Sequence, residues 1–240
     1  MSRISPMRAV FAATIGAALL AAAPAHAQFT NSLTGRQFGT VYGANADFIM
    51  SQMIRNAGWQ AMRASIQRST GGSTRAPAAA PPRAAAAAPL SASDFRPAGP
   101  RNVPEQFAAL GGSPEDRAQI LKACRDLQRA IEAEPGFRPN NVASAMALVI
   151  VVGVKVGYGV DLTDRQSDEV LRGVNDALAA LPAFGELTPA ERTRLYDTFV
   201  ITGALIAGIA QAAVDAGDAG LQAQARAMAR DVLAAFGLGA

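Results

Sequence analysis

The chain has 240 residues, half of them hydrophobic, with 22 basic residues, 19 acidic residues and one histidine. That histidine, His26, lies at the end of a segment with the features of an export leader, so the chain after the leader contains none. Such a chain forms no Ser-His-Asp triad, no Cys-His pair and no histidine metal site. Acid–base chemistry near neutral pH would then require a strongly shifted Glu, Asp or Lys.

The first 27 residues have the three regions of a signal peptide. Two arginines begin the segment, an apolar run follows over residues 9–23, and Ala25-His26-Ala27 fits the small-x-small cleavage pattern. We predict a signal peptide over residues 1–27, cleaved between Ala27 and Gln28, and a protein that is exported to the periplasm or secreted. The alternative is a membrane anchor, but the apolar run is shorter than the roughly 20 residues that span a bilayer.

Residues 28–68 form a basic N-terminal segment with one predicted helix, at about 45–67. Apolar residues recur in this helix at spacings near three and four, and three arginines make it basic. The apolar face docks on the main domain in one interpretation. In the other, the apolar face and the arginines make a peripheral contact with an anionic membrane or with a partner.

Residues 69–104 have the composition of a disordered linker rich in proline and alanine. Such a segment cannot bury a core and favours extended conformations. At about 3.1 Å per residue it would reach on the order of 110 Å. We expect it to act either as a spacer that lets the domain reach out from a surface or as an inert tether.

The two halves of the chain after the leader have opposite charge. Residues 28–104 carry eight arginines and two acids, whereas residues 105–240 carry 12 basic and 17 acidic residues. The basic character of the chain therefore belongs to its N-terminal arm. A nucleic-acid-binding domain needs a basic face with stacking aromatic residues, so we expect no nucleic-acid partner.

Residues 105–240 are predicted to form an all-α domain, a compact bundle of about five helices. The first four helices are expected to begin after Ser113, Asn140 or Asn141, Thr163 and Thr188, where capping residues precede apolar periodic stretches. The fifth is expected to follow a break at Gly217-Asp218. The second helix and the second half of the fourth are apolar on all sides, which predicts that these two are central and that three amphipathic helices surround them. A buried strand over residues 149–152 is the alternative for the second helix, but no second strand is available to pair with it.

Small residues are spaced along the two apolar helices. Gly153 and Gly157, and Gly203 with Ala207, are expected to let these two helices approach each other closely. Transmembrane helices pair through the same spacing, so a membrane-embedded hairpin of about 142–160 and 198–214 is an alternative. The charged first turns of the fourth helix and its many small residues argue against that hairpin.

Lys155 is the residue with the most suggestive setting, because it lies among glycines in an apolar stretch. The spacing does not match a phosphate-binding loop. A lysine in such a stretch must reach water or a carboxylate, and Asp161 or Asp197 are the candidates. We single out one speculative pocket, formed by Lys155, Tyr158, Asp161 and Tyr196, and we predict no catalytic residue, no metal ligand and no cofactor.

Two further groups have alternative interpretations. The acids Asp161, Asp164, Asp168 and Glu169 have the oxygen ligands that Ca²⁺ takes, but acids at a helix start also stabilise the helix without an ion. Cys124 is the only cysteine and falls on an apolar helix face, which is typical of a buried small hydrophobic residue. The alternatives for Cys124 are a reactive thiol and an intermolecular disulfide.

The stretch Tyr196-Asp197-Thr198-Phe199-Val200-Ile201-Thr202-Gly203, continuing to Ala216-Gly217-Asp218, resembles a family of uncharacterised exported bacterial proteins. The resemblance implies a leader, a low-complexity arm and a helical C-terminal domain without an assigned activity. We therefore expect an exported, non-catalytic helical domain that binds an unknown protein or envelope component or has a structural role. The alternatives are a carrier of a small apolar molecule or lipid, and the membrane hairpin.

Overall fold

The computed structural model describes residues 87–238 and, before them, only residues 41–42, 45–46, 49–53, 59–60, 63–64 and 66. The predicted signal peptide, its cleavage site between Ala27 and Gln28, and the first part of the predicted linker, residues 69–86, lie outside the described residues.

Residues 87–238 form seven α-helices and one short 3-10 helix, and this part of the chain contains no β-strand. The 3-10 helix spans Leu90–Ser93, and the α-helices are α1 (Val103–Ala108), α2 (Pro114–Glu132), α3 (Val142–Tyr158), α4 (Asp164–Ala179), α5 (Pro182–Gly185), α6 (Pro189–Asp215) and α7 (Ala219–Ala235). The all-α class is confirmed. The five predicted helices are α2, α3, α4, α6 and α7, whereas the short α1 and α5 were not predicted.

Side-chain caps determine where the long helices begin. Ser113, Thr163 and Thr188 each accept a hydrogen bond from the backbone N–H three residues later, and the side chain at that third position bonds back. Asn141 and Asp218 cap α3 and α7 with one side-chain bond each. A cap of this kind is worth about 1 kcal/mol, so the helix starts follow from local sequence.

The core is built around α3 and α6. Every residue from 142 to 154 in α3 is buried, and so is every residue from 195 to 209 in α6. A helix that is apolar on all sides is stable only where protein contacts it on all sides, and α2, α4 and α7 supply those contacts. The predicted arrangement of two central and three surrounding helices is confirmed, and the valine-rich centre of α3 is helical.

Glycines allow close contacts of α3, but one of the predicted pairings is wrong. A Cβ atom at Gly203 of α6 would lie 3.2 Å from Leu148 Cγ of α3, so this glycine does serve the contact between the two central helices. A Cβ atom at Gly153 would lie 2.9 Å from Leu233 Cγ, and Gly157 likewise faces α7. The sequence shows that a helix has a face of small residues but not which neighbour fills it.

Residues 87–102, here called the strap, are ordered against the bundle. The buried Ser93 hydroxyl lies 2.8 Å from Asn175 Oδ1, and Asn175 Nδ2 donates to the carbonyls of Ala88 and Pro89. Further along, Ala98 N–H donates to Thr193 Oγ1 at 3.0 Å. The prediction of a disordered linker is therefore wrong over residues 87–104. Composition reports only the apolar content of the segment itself. The strap is held instead by hydrogen bonds with polar groups of the helices, which its composition does not reveal.

The described residues before the strap pack on the bundle. Tyr42, Met53 and Trp59 are buried. Trp59 Nε1 donates to the carbonyl of Phe236 at 3.1 Å, and the Tyr42 ring lies 5.9 Å from the Phe199 ring. Of the two interpretations of the helix at about 45–67, docking is the arrangement in the structure. Contact with a membrane through the apolar face would require the same side chains.

One helix of the described part of the chain, α6, is long and apolar enough to cross a membrane. In its most apolar 18-residue window, 78% of the residues are buried inside the bundle. The other member of the predicted hairpin, α3, has 17 residues and is also enclosed. Both helices of the hairpin thus contact protein in this structure.

Candidate functional site

Three of the four predicted pocket residues lie together, at the C-terminal end of α3. Lys155 Nζ lies 2.8 Å from Asp161 Oδ1, so Asp161 is the carboxylate that this lysine reaches. Both side chains are substantially exposed. The Tyr158 hydroxyl lies 3.4 Å from the carbonyl oxygen of Leu238, and the guanidinium of Arg230 lies 5.7 Å from the centre of the Tyr158 ring.

Tyr196, the fourth predicted residue, is not part of this group. It is fully buried near the start of α6, and its ring contacts those of Phe95, at 5.4 Å, and Phe137, at 6.5 Å. The part of α6 nearest Lys155 begins at Ala207, which is about 16 Å further along the helix at 1.5 Å per residue. Lys155, Tyr158 and Asp161 therefore form one neighbourhood and Tyr196 belongs to another.

A groove of about 270 Å³ opens beside Lys155, between α3, α6 and α7. We call it the α3–α6–α7 groove; it is lined by Lys155, Val156, Gly159, Ala207, Ala210, Gln211, Val214, Gln222, Ala225 and Arg226. Most of this lining is apolar. Val214 is 62% exposed, which makes it the most exposed large hydrophobic side chain among the described residues.

Three helices border this groove, and small residues line it. Gly159 ends α3 here in the left-handed conformation, with φ of 69°. Ala207 and Ala210 of α6 and Ala225 of α7 occupy little space, which leaves a concavity between the three helices.

A second cluster of polar residues surrounds Asp197 of α6, which is fully buried. Arg101 Nε lies 3.1 Å from each carboxylate oxygen of Asp197, and Gln128 Nε2 donates to Oδ1 at 2.6 Å. Arg101 also donates to Glu132 at 2.8 Å. Asp197 therefore pairs with Arg101 rather than with Lys155.

Burial controls the protonation of this cluster. Desolvation raises the pKa of Asp197, while the hydrogen bond and the charge of Arg101 act in the opposite direction. The hydrogen bond from Arg101 to Asp197 raises the pKa of the guanidinium, which stays charged. Burial likewise raises the pKa of the Tyr196 hydroxyl, and the nearby Glu132 carboxylate adds to that rise. The cluster is thus a fixed ion pair beside a neutral tyrosine.

A shallow cleft lies on the solvent side of this cluster. It has a volume of about 480 Å³ and is lined by Arg101, Pro104, Arg125, Gln128, Arg129 and Glu132. Each of its three arginines forms an ion pair with an acid. Arg101 pairs with Glu132, Arg125 with Glu105 and Arg129 with Asp126. The cleft therefore has no cation in excess for an anionic ligand.

The sequence did not point to Arg101 or Gln128. Arg101 falls in a stretch with the composition of a linker, and Gln128 is one of several polar residues on α2. The only available signal was Asp197 itself, an acid that adjoins the long apolar stretch of the fourth predicted helix. A buried acid requires a cation, but the spacing along the chain does not identify which one.

The remaining candidates for chemistry are accounted for by their surroundings. Cys124 is fully buried, and burial raises the pKa of its thiol to about 12. Asp161 pairs with Lys155, and Arg165 lies 3.6 Å from Glu169. Among the residues that the structure describes, no three His, Cys, Asp or Glu side chains are grouped closely enough to hold a metal ion.

No curated protein and no solved structure matches the sequence. One family, described as "Family of unknown function (DUF6683)", matches residues 4–240. This match covers nearly the whole chain, including the arm and the strap as well as the second half in which the resemblance was seen. The chain therefore belongs to this family of unknown function.

Proposed function

We propose that the protein is an exported helical domain that acts by binding rather than by catalysis, and that the α3–α6–α7 groove is its binding site. The observation that carries this proposal is the groove itself, an apolar concavity open to solvent beside a closely packed core. Sites for small molecules are mostly apolar with a few polar groups that fix orientation. Lys155 and Arg226 are the charged groups of this lining.

The surroundings of the reactive side chains support a non-catalytic role. Asp197 is held by Arg101 and Gln128, and the Cys124 thiol is buried and protonated. Neither side chain is exposed to solvent. The absence of histidine after the leader adds to this argument, because the most common acid–base residue near neutral pH is missing.

Export is the second part of the proposal and rests on the leader. When the protein is expressed with its own N-terminus in a bacterial host, the intact mass of the exported protein should equal that of a chain that begins at Gln28. An exported protein whose mass includes residues 1–27 would contradict cleavage between Ala27 and Gln28. Fractionation of the same cells separates a periplasmic protein from a secreted one.

Native mass spectrometry of the exported protein tests the binding function. We expect an apolar small molecule to co-purify with the wild type. Ala210→Phe fills the groove and should abolish that adduct. Ala227→Phe is the matched control, because Ala227 is an exposed residue of α7 outside the groove lining. A wild-type protein that shows only its apo mass and takes up no added apolar ligand would contradict the proposal.

A further inference from the structure

The α3–α6–α7 groove has an apolar floor and a cationic rim. Val156, Ala207, Ala210 and Ala225 provide most of the floor, and the exposed Val214 adds a further apolar side chain. Lys155 and Arg226 are the two charged residues of the lining. Arg226 is exposed and has no ion-pair partner among the residues that the structure describes. The groove therefore combines a surface for an alkyl chain with an uncompensated positive charge.

The ion pair of Lys155 is open to exchange. Its Nζ lies 2.8 Å from Asp161 Oδ1, but the two side chains are 44% and 65% exposed. An exposed ion pair contributes little to stability, because water screens both charges. A ligand carboxylate that reaches the rim can therefore replace Asp161 or share the ammonium group with it at little cost.

The two longest stretches of the mature chain outside the described part carry positive charge. Residues 28–40 and 67–86 contain four arginines and no aspartate or glutamate. The groove lining contains no acid, and Asp215, close to the end of α6, accepts a hydrogen bond from the lining residue Gln211 at 2.8 Å. A segment of this chain that covered the groove would add positive charge to the rim, so the complementary occupant is an anion from outside.

We propose that the groove binds a single-chain anionic amphiphile, a fatty-acid carboxylate. The alkyl chain lies on the alanine and valine floor, and the carboxylate meets Arg226 and Lys155. Arg presents a planar donor fork that matches a carboxylate, and charge-assisted hydrogen bonds of this kind are about twice as strong as neutral ones. This inference rests on the proposed function, since it names the ligand class of the same site.

Calorimetric titration of the full mature chain tests the head-group preference. The probes are decanoate, decanol and decyltrimethylammonium, which share a ten-carbon chain and are used below their micelle-forming concentrations. We expect decanoate to bind about tenfold more tightly than decanol, because two charge-assisted contacts are gained. Decyltrimethylammonium should not bind measurably.

Two variants locate the site. Arg226→Glu reverses the rim charge and should remove the tenfold preference for decanoate. Arg172→Glu is the matched control, since Arg172 is an exposed residue of α4 outside the groove, and it should leave the preference unchanged. Ala210→Phe should abolish the binding of both decanoate and decanol.

The outcomes separate this inference from the function on which it rests. If decanoate and decanol bind equally and Ala210→Phe abolishes both, the groove is a binding site but the anionic ligand class is overturned. The anionic ligand class is also overturned if Arg226→Glu leaves the preference for decanoate over decanol intact. If neither probe binds, or if Ala210→Phe has no effect, both the groove as a binding site and its ligand class are overturned.

Discussion

The guanidinium of Arg101 in the strap holds the carboxylate of Asp197 in the N-terminal third of α6. Its Nε lies 3.1 Å from both carboxylate oxygens, and Asp197 has no exposed surface. Asp197 is the only fully buried acid among the residues that the structure describes. The order of the strap and the solvation of a buried charge are therefore linked through one ion pair.

Removal of Arg101 should show how much it destabilises the fold to bury the Asp197 carboxylate without a cation. Arg101→Met leaves Asp197 buried without a cation, and we expect the free energy of unfolding to fall by about 2–3 kcal/mol in urea titrations followed by circular dichroism. Arg101→Met/Asp197→Asn should be more stable than Arg101→Met alone, because a neutral amide needs no counter-charge. A double variant that is less stable than the single one would contradict this.

Arg96→Met is the control for the ion pair. Arg96 lies in the same strap but is exposed, so its substitution should change the free energy of unfolding by less than about 0.5 kcal/mol. An effect as large as that of Arg101→Met would mean that the strap, rather than the buried charge, determines the result.

Asp94 should contribute to stability in a pH-dependent way. Its hydrogen bond with Arg138 lowers the pKa of the Asp94 carboxyl below its ordinary value of 3.8, so the folded protein binds fewer protons there than the unfolded chain. The stabilisation is present above that value and is lost as the pH falls through the lowered pKa. Asp94→Asn should therefore be less stable than the wild type at pH 7, by under about 1 kcal/mol for so exposed a pair.

The difference between the wild type and Asp94→Asn should shrink as the pH falls below about 4. The measurement is the free energy of unfolding by urea at a series of pH values from 7 to 2. Burial raises the pKa of Asp197, so stabilisation from that group is instead lost as the pH rises. Both proteins contain Asp197, so its effect cancels in the comparison. A difference that stays constant down to pH 2 would show that charge is not its cause.

Gly203→Val should destabilise the contact between α3 and α6. A Cβ atom at this position already lies 3.2 Å from Leu148 Cγ and 3.5 Å from the backbone at Val149, so the additional methyl groups force the helices apart. We expect a loss of about 1–3 kcal/mol in thermal or urea unfolding. Gly185→Ala is the comparison: nothing lies within 4 Å of its added Cβ, and it should be neutral or slightly stabilising.

Trp59 reports on whether the N-terminal residues stay docked in solution. It is the only tryptophan, it is fully buried, and it donates a hydrogen bond to the carbonyl of Phe236. We expect its fluorescence to have the short-wavelength emission of a buried indole and to resist quenching by acrylamide. Vesicles that contain anionic phospholipid should not change that emission. A shift on addition of such vesicles would favour the membrane-contact interpretation of the helix at about 45–67.

Local sequence predicted the parts of the fold that depend on neighbours in the chain. The caps at Thr163 and Thr188 lie where the Thr-x-x-Gln and Thr-x-x-Glu patterns placed them, and the apolar stretches of α3 and α6 are central. The ion pair of Lys155 with Asp161 could also be predicted, because the two residues are only six positions apart. In each case the chemistry that decides the structure lies within one or two helical turns.

The features that were missed depend on distant parts of the chain. Asn175 and Thr193 hold the strap across more than 80 residues of sequence, and no pattern within the strap signals this. Tyr196 was grouped with Lys155 by residue type alone, although the length of α6 separates them. The groove is lined by α3, α6 and α7 together, so it depends on the packing of three helices rather than on the sequence of any one of them.

Residues on both sides of 67–86 are held by the bundle independently. Trp59 and Ile66 before this stretch are buried, and Ala88 after it donates its backbone N–H to Asp176 Oδ1 at 2.9 Å. Neither attachment depends on the peptide bonds between Ile66 and Ala88. If a protease cuts the chain between these two residues, the two fragments should remain bound to each other through the buried tryptophan, and the protein would behave as a non-covalent two-chain complex.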